Sequence, residues 1–170
     1  IEELSNPKLR PGKKSLTPEQ LQLRQALLAV LDTVRDESGK DAPVRLVLGF
    51  DGDKSKLTFK EKTASMLAKS ATGKDLPYAQ LIYIWSNKEP VGTVIENTHT
   101  RRVRMVVAAS GAADAGKWVT ITRNVADDFK RAFGEEPGTM TDVGIMTDTD
   151  NTGATVDAWY GDIRFGMDKP

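Results

Sequence analysis

From residue 79 to the carboxyl terminus the apolar residues fall into short runs, at 79–85, 91–96, 101–109, 118–123, 142–147 and 155–165. Turn-forming glycine, proline, asparagine and aspartate separate them. Runs this short, rich in β-branched and aromatic residues, suit strands far better than helices. An earlier run, Pro43-Val44-Arg45-Leu46-Val47-Leu48-Gly49-Phe50, reads as a buried strand in the same way. The pattern predicts a mainly β fold, an antiparallel β-sandwich such as a jelly roll, with two or three peripheral helices.

The helices announce themselves by their ends. Thr17-Pro18-Glu19-Gln20 places a capping threonine before a proline, and Leu23, Leu27, Val30, Leu31 and Val34 then form one apolar stripe. That stripe should pack on the domain or on a partner. Thr58-Phe59-Lys60-Glu61 is a second capping box, opening a helix that ends near Gly73. Asn124 caps a third helix, whose face is Val125, Phe129, Ala132 and Phe133 and whose stop is Gly134. Residues 1–16, with Pro7, Pro11, Gly12 and Lys13-Lys14, read as an extended arm, and 17–170 as one domain. The chain starts at Ile1 with no signal-peptide pattern, so a part preceding Ile1 is expected.

Alternation sets side-chain direction. Val103, Met105 and Val107 should face the core and Arg102 and Arg104 the other side, as a half-buried sheet with a polar outer face requires. In the last run Trp159, Ile163 and Phe165 oppose Tyr160, Asp162 and Arg164. Leu81-Ile82-Tyr83-Ile84-Trp85 is apolar on both sides, which means burial on both or one side lining a groove.

Composition narrows function by exclusion. Lys plus Arg and Asp plus Glu number 24 each, giving a net charge of zero and no bulk electrostatic case for a nucleic-acid partner. No apolar stretch approaches the roughly 20 residues of a membrane-spanning helix. With no cysteine, disulfides, thiolate metal sites and cysteine nucleophiles are excluded. His99 is the one histidine, so a zinc site would have to be mainly carboxylate, and no Gly-x-Ser-x-Gly elbow accompanies it.

The acidic turns are the main ligand candidates. Asp148, Asp150 and Thr152 alternate ahead of Gly153, like the first half of a calcium loop. The twelfth position is Trp159 where an EF-hand needs glutamate, so only a different calcium geometry stays open, beside a turn whose carboxylates cap backbone N–H groups. Asp51-Gly52-Asp53 repeats the theme after another strand, with Gly52 read as supplying a positive backbone angle, and the two loops would converge if both strands end on one edge. Asp51, Asp53, Asp148 and Asp150 are therefore the metal candidates, with calcium as the cation.

Trp85, Trp118, Trp159, Tyr78, Tyr83 and Tyr160 could act as stacking platforms for pyranose rings, with core packing as the alternative. Tyr83, Trp85 and Tyr160 are selected as ligand-binding candidates, together with Arg102 and Arg104, whose cluster could hold an anionic sugar or simply form a solvated strand face. The pairs Asp127-Asp128, Glu135-Glu136 and Asp148/Asp150 could serve a carboxylate-dependent hydrolase if their separation suits.

The ordered motifs Asp41-Ala42-Pro43-Val44-Arg45, Phe50-Asp51-Gly52-Asp53, Pro77-Tyr78-Ala79, Ile84-Trp85, Pro90-Val91-Gly92 and Ser110-Gly111 with Trp118 resemble an uncharacterised bacterial family, domain of unknown function 3047. More specific are Arg123-Asn124-Val125, Asp128-Phe129, Arg131-Ala132-Phe133-Gly134-Glu135, Met146-Thr147-Asp148-Thr149-Asp150-Asn151-Thr152 and Trp159-Tyr160-Gly161-Asp162-Ile163. The resemblance implies an exported envelope protein, periplasmic or secreted, with a sandwich similar to carbohydrate-binding modules and no known catalytic residues. It also implies strands ahead of Asp41, where this chain carries the arm and helix pattern. The expected function is a non-catalytic envelope module for polysaccharide or another polar ligand. The alternative is a structural or interaction component of an envelope protein assembly, with a hydrolase third.

Overall fold

The computed structural model describes residues 42–86, 88–97, 99–149 and 155–166. The 1–16 arm, the helix opening at Thr17, and Asp150, Thr152 and Gly153 lie outside the described residues. Among the described residues five strands and two α-helices follow one another as β1 (Arg45–Phe50), α1 (Phe59–Thr72), β2 (Ala79–Ser86), β3 (Val94–Glu96), β4 (Val103–Ser110), α2 (Val125–Phe133) and β5 (Met140–Met146).

The strands form one open sheet in the order β3-β4-β2-β1-β5. Neighbours are antiparallel except β2 and β4, which run parallel with Gln80 opposite Val103 and Tyr83 opposite Val106. The sheet is therefore mixed, not wholly antiparallel. Its order follows from the connections: β3 crosses from β2 and turns back onto β4, and β5 returns to β1's free side after α2.

Pairing register sorts the side chains into two buried clusters. Leu48, Phe50, Leu81, Tyr83 and Val106 lie on one face with Phe129 of α2, whose ring centroid is 4.8 Å from that of Phe50 and 4.4 Å from that of Phe133. Ile82, Ile84, Ile95, Met105 and Val107 form the other cluster with Ala42. Burial on both faces explains the unbroken apolar run of β2. It also corrects the expected polar outer face: the β4 side carrying Arg102 and Arg104 is the side on which Val106 is fully buried.

Two expected strands are not formed. Residues 118–123 and 155–165 join no ladder, and the alternation of the second is broken at Gly161 and at Asp162, whose φ of 45° turns the backbone out of the extended region. The second layer of the predicted sandwich is thus not among the described residues. The 91–96 run is shortened because Pro90 to Thr93 forms a turn, with Thr93 N–H donating to Pro90 O at 3.1 Å and Gly92 at φ 90°.

Candidate functional site

Each acidic turn has its own local explanation. β1 runs antiparallel to β5 with Arg45 opposite Met146 and Phe50 opposite Met140. Asp51 and Asp53 therefore leave one end of β1 while Asp148 follows β5 at the other, a strand length of about 17 Å away at the usual rise. The two loops do not converge. Asp148 pairs with buried Arg45 at 3.2 Å, and Asp53 accepts from Ser55 N–H at 2.9 Å; the Ser55 side chain and then this N–H lower its pKa. Among the described residues no three His, Cys, Asp or Glu side chains are grouped to hold a metal ion. Gly52 is not at positive φ: a Cβ there would collide with the ring of Tyr78, so close packing demands the glycine.

Two ion networks flank α2. In the first, Glu135, just past the helix end, accepts from Tyr78 OH (2.9 Å), Arg102 (2.9 Å) and Lys56 (2.9 Å). Arg102 also donates to Tyr78 O and lies 3.8 Å from the centroid of that ring. Burial alone would raise the Glu135 carboxyl, but these three donors outweigh it and hold its pKa at about 2. In the second, Asp128 accepts a two-pronged bond from Arg123 (2.8 and 2.6 Å), another from Arg131 (2.6 Å) and one from Tyr83 OH (2.8 Å). Burial pushes Asp128 up, and the Arg123 and Tyr83 bonds reverse this to a net lowering. Burial, then the bond to Asp128, raises the Tyr83 hydroxyl.

Arg104 sits between the networks. It pairs with Glu96 across the β3–β4 ladder at 3.4 Å and lies 5.9 Å from the Phe133 centroid, with its Nε buried and without a hydrogen-bond partner.

Tyr83, Arg102 and Arg104 are thus brought to one face of the sheet, where α2 and its flanks engage them. Trp85 is half-buried and donates from its ring N–H to Gly111 O at 2.9 Å. Tyr160 lies elsewhere. Its hydroxyl donates to Met146 O at 2.6 Å and accepts from Arg45 N–H at 3.2 Å, pinning the 155–166 segment to the ends of β1 and β5.

Of the six tryptophan and tyrosine candidates, those left open to solvent are Trp118 at 73% and Trp159 at 67% exposure. The position a Cβ would take at Gly161 is 3.4 Å from the Trp118 ring, and Gly161 is two residues from Trp159. Their chain segments therefore meet, with backbone positions 159 and 161 no more than about 7 Å apart. Sequence reasoning places both in the wider aromatic set but selects other members, because run-like context does not report which rings a helix covers. It misses Lys56, Arg123, Arg131 and Glu135 as network partners. The i, i+3 spacing of Asp128 and Arg131 is the one local signal.

The profile of a family described as a protein of unknown function, DUF3047, matches residues 25–164. A stretch of 47 residues, 28% of this chain, is 49% identical to a DNA topoisomerase 4 component from Neisseria gonorrhoeae and spans 6% of that protein. No solved structure matches the chain.

Proposed function

The chain belongs to the DUF3047 family of unknown function, and within it we propose a non-catalytic polysaccharide-binding module whose platform is Trp118 and Trp159. The observation carrying this is the exposure of two indole rings on segments that meet at Gly161. Exposed tryptophan is costly to leave in water, and the apolar face of a pyranose is a natural cover for it. Asp162 and Arg164, paired at 3.4 Å and exposed beside Trp159, supply groups for sugar hydroxyls. Tyr160 serves as the anchor that presents Trp159.

A non-catalytic role is supported by the carboxylates. Asp128 and Glu135 are each saturated by several donors and held ionised, so neither offers the neutral acid that glycoside hydrolysis asks of one partner. A calcium-bound form of the Asp148 loop and an exported, periplasmic or secreted location belong to the same proposal, the latter following from the family resemblance.

A second reading, an interaction component of an envelope assembly, is favoured by β5. This edge strand exposes Val143, Ile145 and Met146; a partner strand laid along it would widen the sheet, and a second sheet packed on its face would complete a sandwich or jelly roll. Retention on insoluble polysaccharides separates the two readings. Binding should be abolished by Trp118→Ala or Trp159→Ala with the fold intact, whereas failure of the unsubstituted protein to bind any glucan, chitin or peptidoglycan sample would reject the platform.

A further inference from the structure

Helix α1 carries its apolar side outward. At about 100° per residue, Glu61, Ser65 and Ala68 share one face, and these are its half-buried residues. Glu61 on that face receives a bond from Arg101 (3.3 Å), whose guanidinium also donates to Lys56 O (2.8 Å), so this side is turned to the body. The opposite face presents Phe59, Met66 and Leu67, exposed by 87, 72 and 67%. Thr63 and Ser70 lie between them, and no residue of the helix is fully buried.

Charge brackets this stripe. Lys60 borders it on one side and Lys62 and Lys69 on the other. Residues 54–74 hold six lysines against one glutamate, in a chain whose net charge is zero. Lys69, which stays 60% exposed, pairs with Asp75 at 3.1 Å, and Lys56 pairs with Glu135 at 2.9 Å.

An exposed apolar stripe flanked by lysines on both sides is the pattern of a helix lying in a membrane interface: the apolar side chains enter the acyl boundary while the ammonium groups meet anionic headgroups. We infer that α1 is a peripheral docking helix for an anionic lipid surface, engaging it through Phe59, Met66 and Leu67 with Lys60, Lys62 and Lys69 as headgroup contacts. The flanking charge on both sides favours a flat anionic surface over a groove, which would bury those lysines. No described helix is long and apolar enough to cross a membrane, so contact through α1 would be interfacial.

The test is co-sedimentation of the whole chain with vesicles of phosphatidylcholine alone and of an equal mixture with phosphatidylglycerol. The protein should pellet with the mixed vesicles and not with the neutral ones, and added salt should release it. Phe59→Gln, Met66→Gln and Leu67→Gln together should reduce partitioning about tenfold or more, and so should Lys60→Gln, Lys62→Gln and Lys69→Gln together. All six sites are exposed and glutamine keeps helix propensity, so circular dichroism should be unchanged. Undiminished partitioning of the apolar triple variant would overturn the assignment. No pelleting with anionic vesicles would overturn it equally, leaving an acidic protein groove as the occupant of the stripe.

Discussion

Helix α1 is capped by Thr58 and helix α2 by Asn124, each with a side-chain oxygen accepting from first-turn N–H groups. Each stops at a glycine in the left-handed region, Gly73 at φ 76° and Gly134 at φ 71°. With matching ends, the two helices differ in where their apolar sides point. α2 buries Phe129 completely against Phe50 and Tyr83 of the sheet. α1 buries nothing fully and holds to the body through polar contacts on its Glu61 side. Caps decide that a helix forms and where it ends. Packing of the apolar stripe decides what the helix contributes, since most helical stability in a domain comes from that face.

The largest expected break between the two is at their phenylalanines. Phe129→Ala should cost about 3–5 kcal/mol in denaturant unfolding, because it removes the ring at the centre of the α2-facing cluster and leaves a cavity. Phe59→Ala should change stability by less than about 0.5 kcal/mol, since its ring lies in water. A large loss at Phe59 would mean that α1's stripe packs against the domain after all.

Next comes the charged side of the same contrast. Asp128→Ala strands Arg123, Arg131 and the buried Tyr83 hydroxyl beneath α2, and should cost about 3 kcal/mol. Glu61→Ala, which removes the cap partner and the Arg101 contact of α1, should cost about 1 kcal/mol. Comparable losses would show that the two helices are anchored alike.

Much of this contrast is legible in the sequence. Thr58, Gly73, Asn124 and Gly134 mark all four helix ends, and Val125, Phe129, Ala132 and Phe133 mark the packed face. The strands β1, β2, β4 and β5 are likewise readable, since each is a compact apolar run. What is not legible depends on distance in sequence. The parallel pairing of β2 with β4 is set by how β3 turns back, which no local pattern encodes. Arg102 has the sequence context of a surface residue, yet Glu135, 33 positions away, and Tyr78 enclose it. The 155–165 alternation promises a strand, but the positive φ at Asp162 interrupts it. For the site, the choice among aromatics turns on cover: α2 hides Tyr83, whereas Trp118 and Trp159 stay open.

Acid should act on the α2 side of the molecule through Glu135. Its folded pKa of about 2 lies below the ordinary value of 4.5, so the folded state takes up its proton later than the unfolded chain does. The stability it supplies is complete above about pH 5 and is lost as pH falls through 4.5 toward 2. Glu135→Gln should remove part of that slope and cost about 2 kcal/mol at neutral pH. Asp128, also lowered, keeps a slope of the same sign in the variant. Unfolding curves at a series of pH values compare the two, and identical slopes would remove Glu135 from the acid response.

The finest comparison between the helices is at their caps. Thr58 accepts from Glu61 N–H at 3.3 Å, while the Glu61 carboxylate accepts from Thr58 N–H at 2.7 Å, so Thr58→Ala breaks a reciprocal pair. Asn124→Ala breaks bonds to Ala126 and Asp127 N–H at 3.1 and 3.2 Å. As local chemistry the two losses match, at about 1 kcal/mol each. Their consequences should separate, because α2 unfolds with the sheet whereas α1 can open alone. Amide hydrogen exchange should show the α2 cap loss spread across β1, β2 and β4, with the α1 loss confined to residues 59–72. If the Thr58 substitution also accelerates exchange in the sheet strands, α1 is coupled to the core and its outward stripe is held there under strain by the body of the domain.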